Sequence, residues 1–273
     1  MPGAPRRLIT GFSNPTVKFL RSLRDKKHRR REGRFLAEGL RLLTDARESG
    51  FVPEMLVMAD RRDPHPLADA LEQAVESASG TIVETTPEIL SKITGKDNPQ
   101  AIAGVFRAFD TSLAAIERDA APIWLVAQAL RDPGNLGTML RTGDAVGAGG
   151  LILIDDCTDP FAVEAVRASM GAIFTQRIAQ ARWDEFLPWL RGGPGQLVAA
   201  SLRDAVPYRA APYAAPCFIL VGNESRGLPA DYEGACDVRV TMPMRGRADS
   251  LNAAVAGAVL AYEVLASLER GDS

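Results

Sequence analysis

Cysteine and histidine are scarce in this chain. Its 273 residues include three cysteines, Cys157, Cys217 and Cys236, and two histidines, His28 and His65. The cysteines lie far apart and form no Cys-x-x-Cys pair, which indicates a reducing compartment and argues against a structural zinc site. Neither histidine lies beside a cysteine or a cluster of carboxylates in the sequence, so we expect no metal.

Long apolar runs are missing as well. No run approaches the roughly 20 residues that a membrane helix needs. The stretch MPGAPRRLIT lacks the apolar segment of a secretory signal, so we expect no such signal and a cytoplasmic location. A hydrophobic content of 46% and a charged content of 24% are typical of globular proteins, and the length predicts two domains.

The formal net charge of −2 conceals one strongly basic segment. Nine Lys or Arg residues fall between Lys18 and Arg34, against only Asp25 and Glu32. Such a local excess is typical of a surface that binds a phosphate backbone, although a solvated helix face has the same composition. The candidate residues for contact with such a nucleic-acid backbone are Lys18, Arg21, Arg24, Lys26, Lys27, Arg29, Arg30 and Arg31.

The first 110 residues predict a small α/β domain. Residues 14–30 read as one helix, with Asn14 as the cap and Pro15 at the first helical position. Strands and helices alternate after it up to residue 107, which is typical of α/β structure. Residues 111–122 lack a strong apolar period and predict a linker.

Residues 123–273 predict a second α/β domain. Five continuous apolar runs are typical of a parallel sheet that is covered on both faces. The predicted strands are Ile123–Ala127, Leu151–Ile154, Gln196–Ala200, Phe218–Val221 and Val238–Thr241. Helices are expected at Leu136–Val146, Phe161–Met170, Trp183–Leu190 and from Ser250 onward.

Three polar motifs follow predicted strands. In the first, residues 132–135 (Asp-Pro-Gly-Asn) form a turn, Asn135 is placed to cap the next helix, and Arg141 lies six residues further on. In the second, the buried strand Phe218–Val221 runs into Gly222, Asn223 and Glu224. Strand ends in open α/β sheets are where ligands bind, and a glycine there permits close approach to the backbone.

The third motif is the loop Met242–Asn252 with the helix after it. Ser250 is placed as the N-cap, and the backbone N–H groups of a helix start suit the polar end of a cofactor. The dinucleotide fingerprint G-x-G-x-x-G is not found in this domain. Each motif alone has an ordinary structural interpretation as a connection between a strand and a helix.

Together, in this order and spacing, the three motifs resemble those of the SpoU (TrmH-like) family of RNA ribose 2′-O-methyltransferases, within the SPOUT superfamily. The likeness covers about residues 121–268, and the region before it resembles an L30e-like substrate-binding domain. The resemblance implies an α/β domain with a deep trefoil knot and a mostly parallel sheet. It also implies a homodimer formed through the C-terminal domain.

S-adenosylmethionine is the cofactor that the resemblance implies. The residues expected to contact it are Ala200, Ser201, Gly222, Asn223, Met242, Pro243, Met244, Ser250 and Leu251. The expected catalytic set is Asn135, Arg141, Glu224, Ser250 and Asn252, with no metal. The family's proposed base matches Arg141, but a guanidinium resists deprotonation, so an RNA phosphate positioned by Arg141 could share that role.

The expected substrate is a ribose 2′-hydroxyl in RNA, with 23S ribosomal RNA ahead of transfer RNA. A non-catalytic RNA-binding protein in ribosome assembly and a base methyltransferase of the same superfamily are the alternatives. The apolar terminal helix fits either a dimer interface or burial within its own domain.

Overall fold

The computed structural model describes residues 5–59, 65–97 and 100–271, so the first four residues of MPGAPRRLIT lie outside it. The α-helices in these ranges are α1 (Pro15–Ser22), α2 (Lys26–Glu32), α3 (Leu40–Glu48), α4 (Pro66–Ser77), α5 (Pro87–Thr94), α6 (Pro133–Ala145), α7 (Val163–Ala168), α8 (Trp183–Arg191), α9 (Ala230–Gly234) and α10 (Ala253–Gly271). The strands are β1 (Arg6–Ile9), β2 (Arg34–Glu38), β3 (Met55–Ala59), β4 (Thr81–Thr85), β5 (Ile102–Arg107), β6 (Ile123–Gln128), β7 (Gly150–Ile154), β8 (Arg177–Ala181), β9 (Gln196–Ala200), β10 (Val206–Pro207), β11 (Cys217–Val221) and β12 (Val238–Thr241). Among these helices, none combines the length and the apolar character needed to cross a membrane.

The chain divides into two compact units. The first contains the residues up to Phe109 together with Asp159–Phe174, and the second contains Asp110–Thr158 and the chain from Thr175 onward. The predicted domain boundaries, 1–110 and 123–273 with a linker at 111–122, differ from these units by the inserted segment and stay a prediction.

The first unit is built on a five-stranded mixed sheet in the order β1-β4-β3-β5-β2. Strands β1, β4 and β3 are parallel, whereas β5 runs antiparallel to both β3 and β2. The segment Asp159–Phe174 belongs to this unit because its aromatic rings pack on the sheet. The ring of Phe35 lies 4.9 Å from that of Phe161 and 6.2 Å from that of Phe174.

The second unit is built on a seven-stranded sheet in which every pair is parallel, in the order β10-β12-β9-β11-β6-β7-β8. All residues of β6, β7 and β11 are buried, as continuous apolar strands covered on both faces should be. The predicted α/β fold with a mostly parallel sheet is confirmed. The trefoil knot stays a prediction.

Four helix starts differ from the sequence-based expectation. The smallest difference is in α7, which begins at Val163 rather than Phe161. The predicted helix 14–30 is two helices, because the Asp25 side chain accepts hydrogen bonds from the N–H groups of Lys27 and His28 and caps α2. Helix α6 begins at Pro133 rather than Leu136, because Asp132 caps it through the Asn135 N–H at 2.7 Å. The proposed cap by Asn135 is therefore wrong.

The terminal helix also starts later than expected. Helix α10 begins at Ala253, and the Asn252 side chain accepts from the N–H groups of Ala254 and Val255 at 2.9 and 3.2 Å. Ser250 is therefore not its cap; its hydroxyl instead lies 3.2 Å from a carboxylate oxygen of Asp249. Strands β1, β8 and β10 and helix α9 were not predicted, since each is short or carries charged residues that interrupt the apolar pattern.

Candidate active site

The candidate site lies where two neighbouring strands of the second unit end. Strand β11 pairs with β6 in parallel, so their carboxyl ends meet at one edge of the sheet. The chain leaves β6 toward β7 on one side and leaves β11 toward β12 on the other. Neighbouring connections that diverge leave a crevice at the strand ends, which is the usual ligand site of parallel sheets.

Asn135 joins the three sequence motifs. Its amide nitrogen donates to Oε1 of Glu224 at 3.1 Å, and its amide oxygen accepts from Nδ2 of Asn252 at 2.9 Å. Because Asn252 also caps α10, the network connects the loop after β11 to the starts of α6 and α10. Three members of the predicted catalytic set are thus in direct contact.

The loop after β11 is held in shape by Asn223. Its amide nitrogen donates to the carbonyl oxygen of Ala129 at 2.8 Å, and its amide oxygen accepts from the N–H groups of Ser225 and Arg226. A Cβ atom on Gly222 would lie 2.4 Å from the carbonyl carbon of Gly227. A side chain at Gly222 therefore cannot be accommodated without moving backbone.

Glu224 is held in its ionised form. Partial burial raises the pKa of this carboxyl, but its own backbone N–H, the side chain of Asn135 and the N–H groups of Asp132 and Arg131 outweigh that effect. The net result is a pKa below the ordinary glutamate value. Glu224 therefore accepts hydrogen bonds as a carboxylate at neutral pH.

A cavity of about 330 Å³ opens beside this network. Residues from the ends of β9, β11 and β12 and from the loop Met242–Asn252 line it. The lining includes eight of the nine predicted cofactor residues: Ala200, Ser201, Gly222, Asn223, Met242, Met244, Ser250 and Leu251. Pro243 is not among the lining residues, whereas Glu224 is.

Arg141 does not join the network. It is an exposed residue on α6, about 9 Å along the helix axis from Asn135. In the ranges that the structure describes, its guanidinium forms no hydrogen bond or ion pair with Glu224 or Asn252. The catalytic role of Arg141 therefore stays a prediction.

Most of the predicted RNA-binding residues lie at the surface of the first unit. Lys18, Arg21, Arg24, Lys27, Arg30 and Arg31 are exposed, and Lys26 is half-buried. Lys18, Arg21 and Arg24 border a shallow depression. The side chain of Arg31 also pairs with Glu32 at 2.8 Å.

Arg29 was wrongly assigned to that group. It is buried, at 5% exposure, and its guanidinium pairs with Asp159 through Nη2 at 2.7 Å and Nε at 3.1 Å. It also donates to the carbonyl oxygens of Leu23 and Arg24. With its donors directed into the protein, Arg29 is a structural residue.

The polar residues of the cavity that sequence reasoning missed include Arg203 and Glu233, which carry opposite charges. Both line it, and Glu233 is buried. No local pattern marks Glu233, which lies on the short helix α9. Asp132, in contrast, could have been found as a cap, because an aspartate directly before a proline is a typical helix start.

Two protein-family models match the chain. A protein-family model described as the SpoU rRNA Methylase family matches residues 122–262. A second model, described as the MRM3-like substrate binding domain, matches residues 14–104. Among the described residues, no group of three His, Cys, Asp or Glu side chains is placed to hold a metal ion.

Relatives match nearly the whole chain. The 23S rRNA (guanosine(2553)-2′-O)-methyltransferase RlmP of Bacillus subtilis is 31% identical, over 94% of this chain and 98% of RlmP. The crystal structure of an AdoMet-bound rRNA methyltransferase from Sinorhizobium meliloti is 37% identical with a TM-score of 0.88, over 96% of this chain and 98% of that one. The SpoU methyltransferase AviRb from Streptomyces viridochromogenes, solved with AdoMet, is 26% identical with a TM-score of 0.84, over 94% of this chain and 98% of that one.

A parallel sheet with a cavity and a polar network at its strand ends defines an α/β protein with a ligand site at the strand ends. The chain belongs to the SpoU rRNA methylase family. The predicted family and the predicted class of RNA methyltransferase are thereby confirmed, as is S-adenosylmethionine as the cofactor of the family. The roles of the individual site residues stay predictions.

Proposed function

We propose that this protein transfers a methyl group from S-adenosylmethionine to a ribose 2′-hydroxyl of 23S ribosomal RNA, in the cytoplasm. The observation that carries the proposal is the contact of Asn135 with both Glu224 and Asn252 beside the cavity. The name of RlmP, which aligns over nearly its full length, supports the ribosomal substrate. A pure RNA-binding scaffold would have no need of this network.

The cavity fits the cofactor. Its wall at Gly222 is bare backbone, and the strand end packs so closely on Gly227 that only glycine is compatible. Backbone groups of Gly222, Met242 and Leu251 would hold the adenine edge, and Ala200 and Ser201 would contact the cofactor from the end of β9. When bound, S-adenosylmethionine would supply a methyl group bonded to a sulfonium, whose sulfur leaves as a neutral thioether when the methyl is transferred.

The task left to the chain is to position the ribose and to help remove its proton. Asn135, which is held by Asn252, orients Glu224, and the carboxylate of Glu224 would accept a hydrogen bond from a hydroxyl of the target nucleotide. Ser250 lines the cavity next to Asn252. Arg141 has an exposed guanidinium, and we propose that it binds an RNA phosphate that takes part in the proton transfer.

The RNA would be held by the exposed basic residues of the first unit. Lys18, Arg21 and Arg24 surround one depression, which suits a phosphate backbone. The family model described as a substrate binding domain covers the same residues.

We also propose a homodimer formed through the C-terminal domain and a trefoil knot in that domain. Val255 and Tyr262 on α10 are 47% and 54% exposed, and an unpaired apolar helix face of this kind suits a second copy.

Mass mapping of ribosomal and transfer RNA from cells with and without this protein tests the proposal. We expect one ribose methyl group to disappear from 23S RNA in its absence and to return with the wild-type chain but not with Asn135→Ala. If the methyl group is instead lost from a base or from transfer RNA, the proposed substrate is wrong and that nucleotide is the substrate. Calorimetry that detects no S-adenosylmethionine binding would favour the scaffold.

A further inference from the structure

Two oppositely charged side chains share one wall of the cavity and are not explained by the network around Asn135. Glu233 is 7% exposed and Arg203 is exposed, and both line the cavity. Nη1 of Arg203 lies 3.4 Å from Oε2 of Glu233. The cavity therefore presents a negative and a positive group next to each other.

Ser201 holds this pair in place. Its N–H donates to the carbonyl oxygen of Val240 at 3.0 Å, which fixes it at the end of β9. Its hydroxyl donates to Oε1 of Glu233 at 2.7 Å and accepts from the N–H of Arg203 at 2.9 Å. One serine thus orients the carboxylate and the turn that carries the arginine.

Both charges retain unused hydrogen-bonding capacity. A carboxylate offers about four acceptor sites and a guanidinium about five donors, so the contacts above leave sites over on each side chain. Burying a carboxylate costs free energy unless cationic or N–H and O–H groups surround it. A ligand with an ammonium group would complete the surroundings of Glu233.

We propose that Arg203 and Glu233 bind the amino-acid end of S-adenosylmethionine, Arg203 the α-carboxylate and Glu233 the α-ammonium group. This rests on the proposed function only in taking S-adenosylmethionine as the ligand of the cavity. Its amino-acid end is the part that carries both signs of charge on neighbouring atoms, which matches a neighbouring acid and base. The neutral ribose hydroxyls would use Glu233 but leave the guanidinium without a role.

Calorimetry with three ligands tests the assignment on the full chain. The ligands are S-adenosylmethionine, its decarboxylated form, which lacks only the α-carboxylate, and 5′-methylthioadenosine, a neutral thioether that lacks the whole amino-acid end and the sulfonium charge. We expect the wild type to prefer S-adenosylmethionine over the decarboxylated ligand by about tenfold, the typical value of a charge-assisted hydrogen bond. Arg203→Ala should abolish that preference without weakening the binding of the decarboxylated ligand.

Arg226→Ala is the matched control, since Arg226 is an exposed arginine of the same cavity and should leave the preference intact. Glu233→Gln should weaken the binding of S-adenosylmethionine about tenfold and leave the binding of 5′-methylthioadenosine unchanged. Unchanged binding of 5′-methylthioadenosine also shows that the cavity is folded in this variant. If Glu233→Gln weakens the binding of both ligands equally, Glu233 contacts the ribose and the proposal is overturned. The proposal is also overturned if the preference for S-adenosylmethionine over its decarboxylated form persists in Arg203→Ala. If the proposed function is wrong, the wild type itself does not bind S-adenosylmethionine, so this outcome can be distinguished from failure of the assignment of Arg203 and Glu233.

Discussion

Arg29 in the first unit and Glu224 in the second are both charged side chains held by several hydrogen bonds, but their surroundings differ. Arg29 is buried and its partner Asp159 carries the opposite charge. Glu224 is exposed, and its partners are the amides of Asn135 and Asn223 and the N–H of Asp132. If Arg29 or Asp159 loses its partner, an unpaired charge remains buried in the protein. If Glu224 loses a partner, a water molecule can take the place of that partner.

The difference in surroundings indicates that the Arg29–Asp159 pair serves the stability of the fold and that Glu224 serves contact with a substrate. A buried pair contributes to stability chiefly because breaking it is costly, and it is not available to a ligand. A hydrogen-bonded carboxylate at the mouth of a cavity contributes little to stability but can contact a substrate. Arg29 and its exposed neighbour Arg30 show that one basic segment contains residues of both kinds.

The largest effect should come from breaking the buried pair. Arg29→Ala leaves Asp159 buried without its counterion, so we expect the free energy of unfolding to fall by about 3–5 kcal/mol in urea titrations. Arg30→Ala on the same helix is the control and should change it by no more than about 0.5 kcal/mol. Equal effects of the two substitutions would contradict the distinction between them.

The complementary test removes the centre of the polar network. Asn135→Ala should slow methyl transfer about 100-fold in single-turnover assays, because Glu224 and Asn252 lose their common partner and the reacting groups are misaligned. The free energy of unfolding should change by only about 1 kcal/mol. Thr138→Ala on the same helix removes an exposed hydroxyl that donates to the Gly134 carbonyl, and it should leave the rate unaltered. If Thr138→Ala also slows methyl transfer, the rate depends on any change in α6 rather than on the hydrogen-bond network of Asn135.

A third prediction concerns the exposed basic residues of the first unit. Lys18→Ala and Arg21→Ala should weaken RNA binding and lower the slope of log K against log salt by about 1 each, since each removes one phosphate contact. Filter binding at several salt concentrations measures this slope, and calorimetry should find S-adenosylmethionine binding unchanged. Arg182→Ala, which removes an exposed arginine paired with Asp184, is the control. If it lowers the slope equally, the basic surface of α1 and α2 has no special role.

The smallest effect concerns the titration of Glu224. Its folded-state pKa lies below the ordinary value, so its ionised form stabilises the folded protein at neutral pH. That contribution should be present above the ordinary glutamate pKa and disappear as the pH falls through the lowered one. The difference in unfolding free energy between the wild type and Glu224→Gln should therefore shrink from pH 7 toward pH 3. A difference that grows on acidification would mean that the pKa is raised.

The helix starts show how far local reasoning reaches. The strands Gln196–Ala200 and Val238–Thr241 were predicted to the residue, because a buried parallel strand needs a continuous apolar run. The caps of α6 and α10 were assigned to the wrong polar residues, Asn135 and Ser250. Several residues near each helix start can cap it, and only the three-dimensional structure selects Asp132 and Asn252.

The sequence by itself determined the five continuous apolar strands of the second unit, the three polar motifs and, through their order, the family, but not β8, β10 or α9. Local spacing is enough for these, since each depends on residues that are close in the chain. Only the tertiary structure decided which polar groups meet: Asn135 lies 89 positions from Glu224 and 117 from Asn252, and Arg29 lies 130 from Asp159. Those contacts depend on β11 lying beside β6 and on Asp159–Phe174 packing with the first unit, and long-range packing of that kind leaves no periodic pattern in the chain.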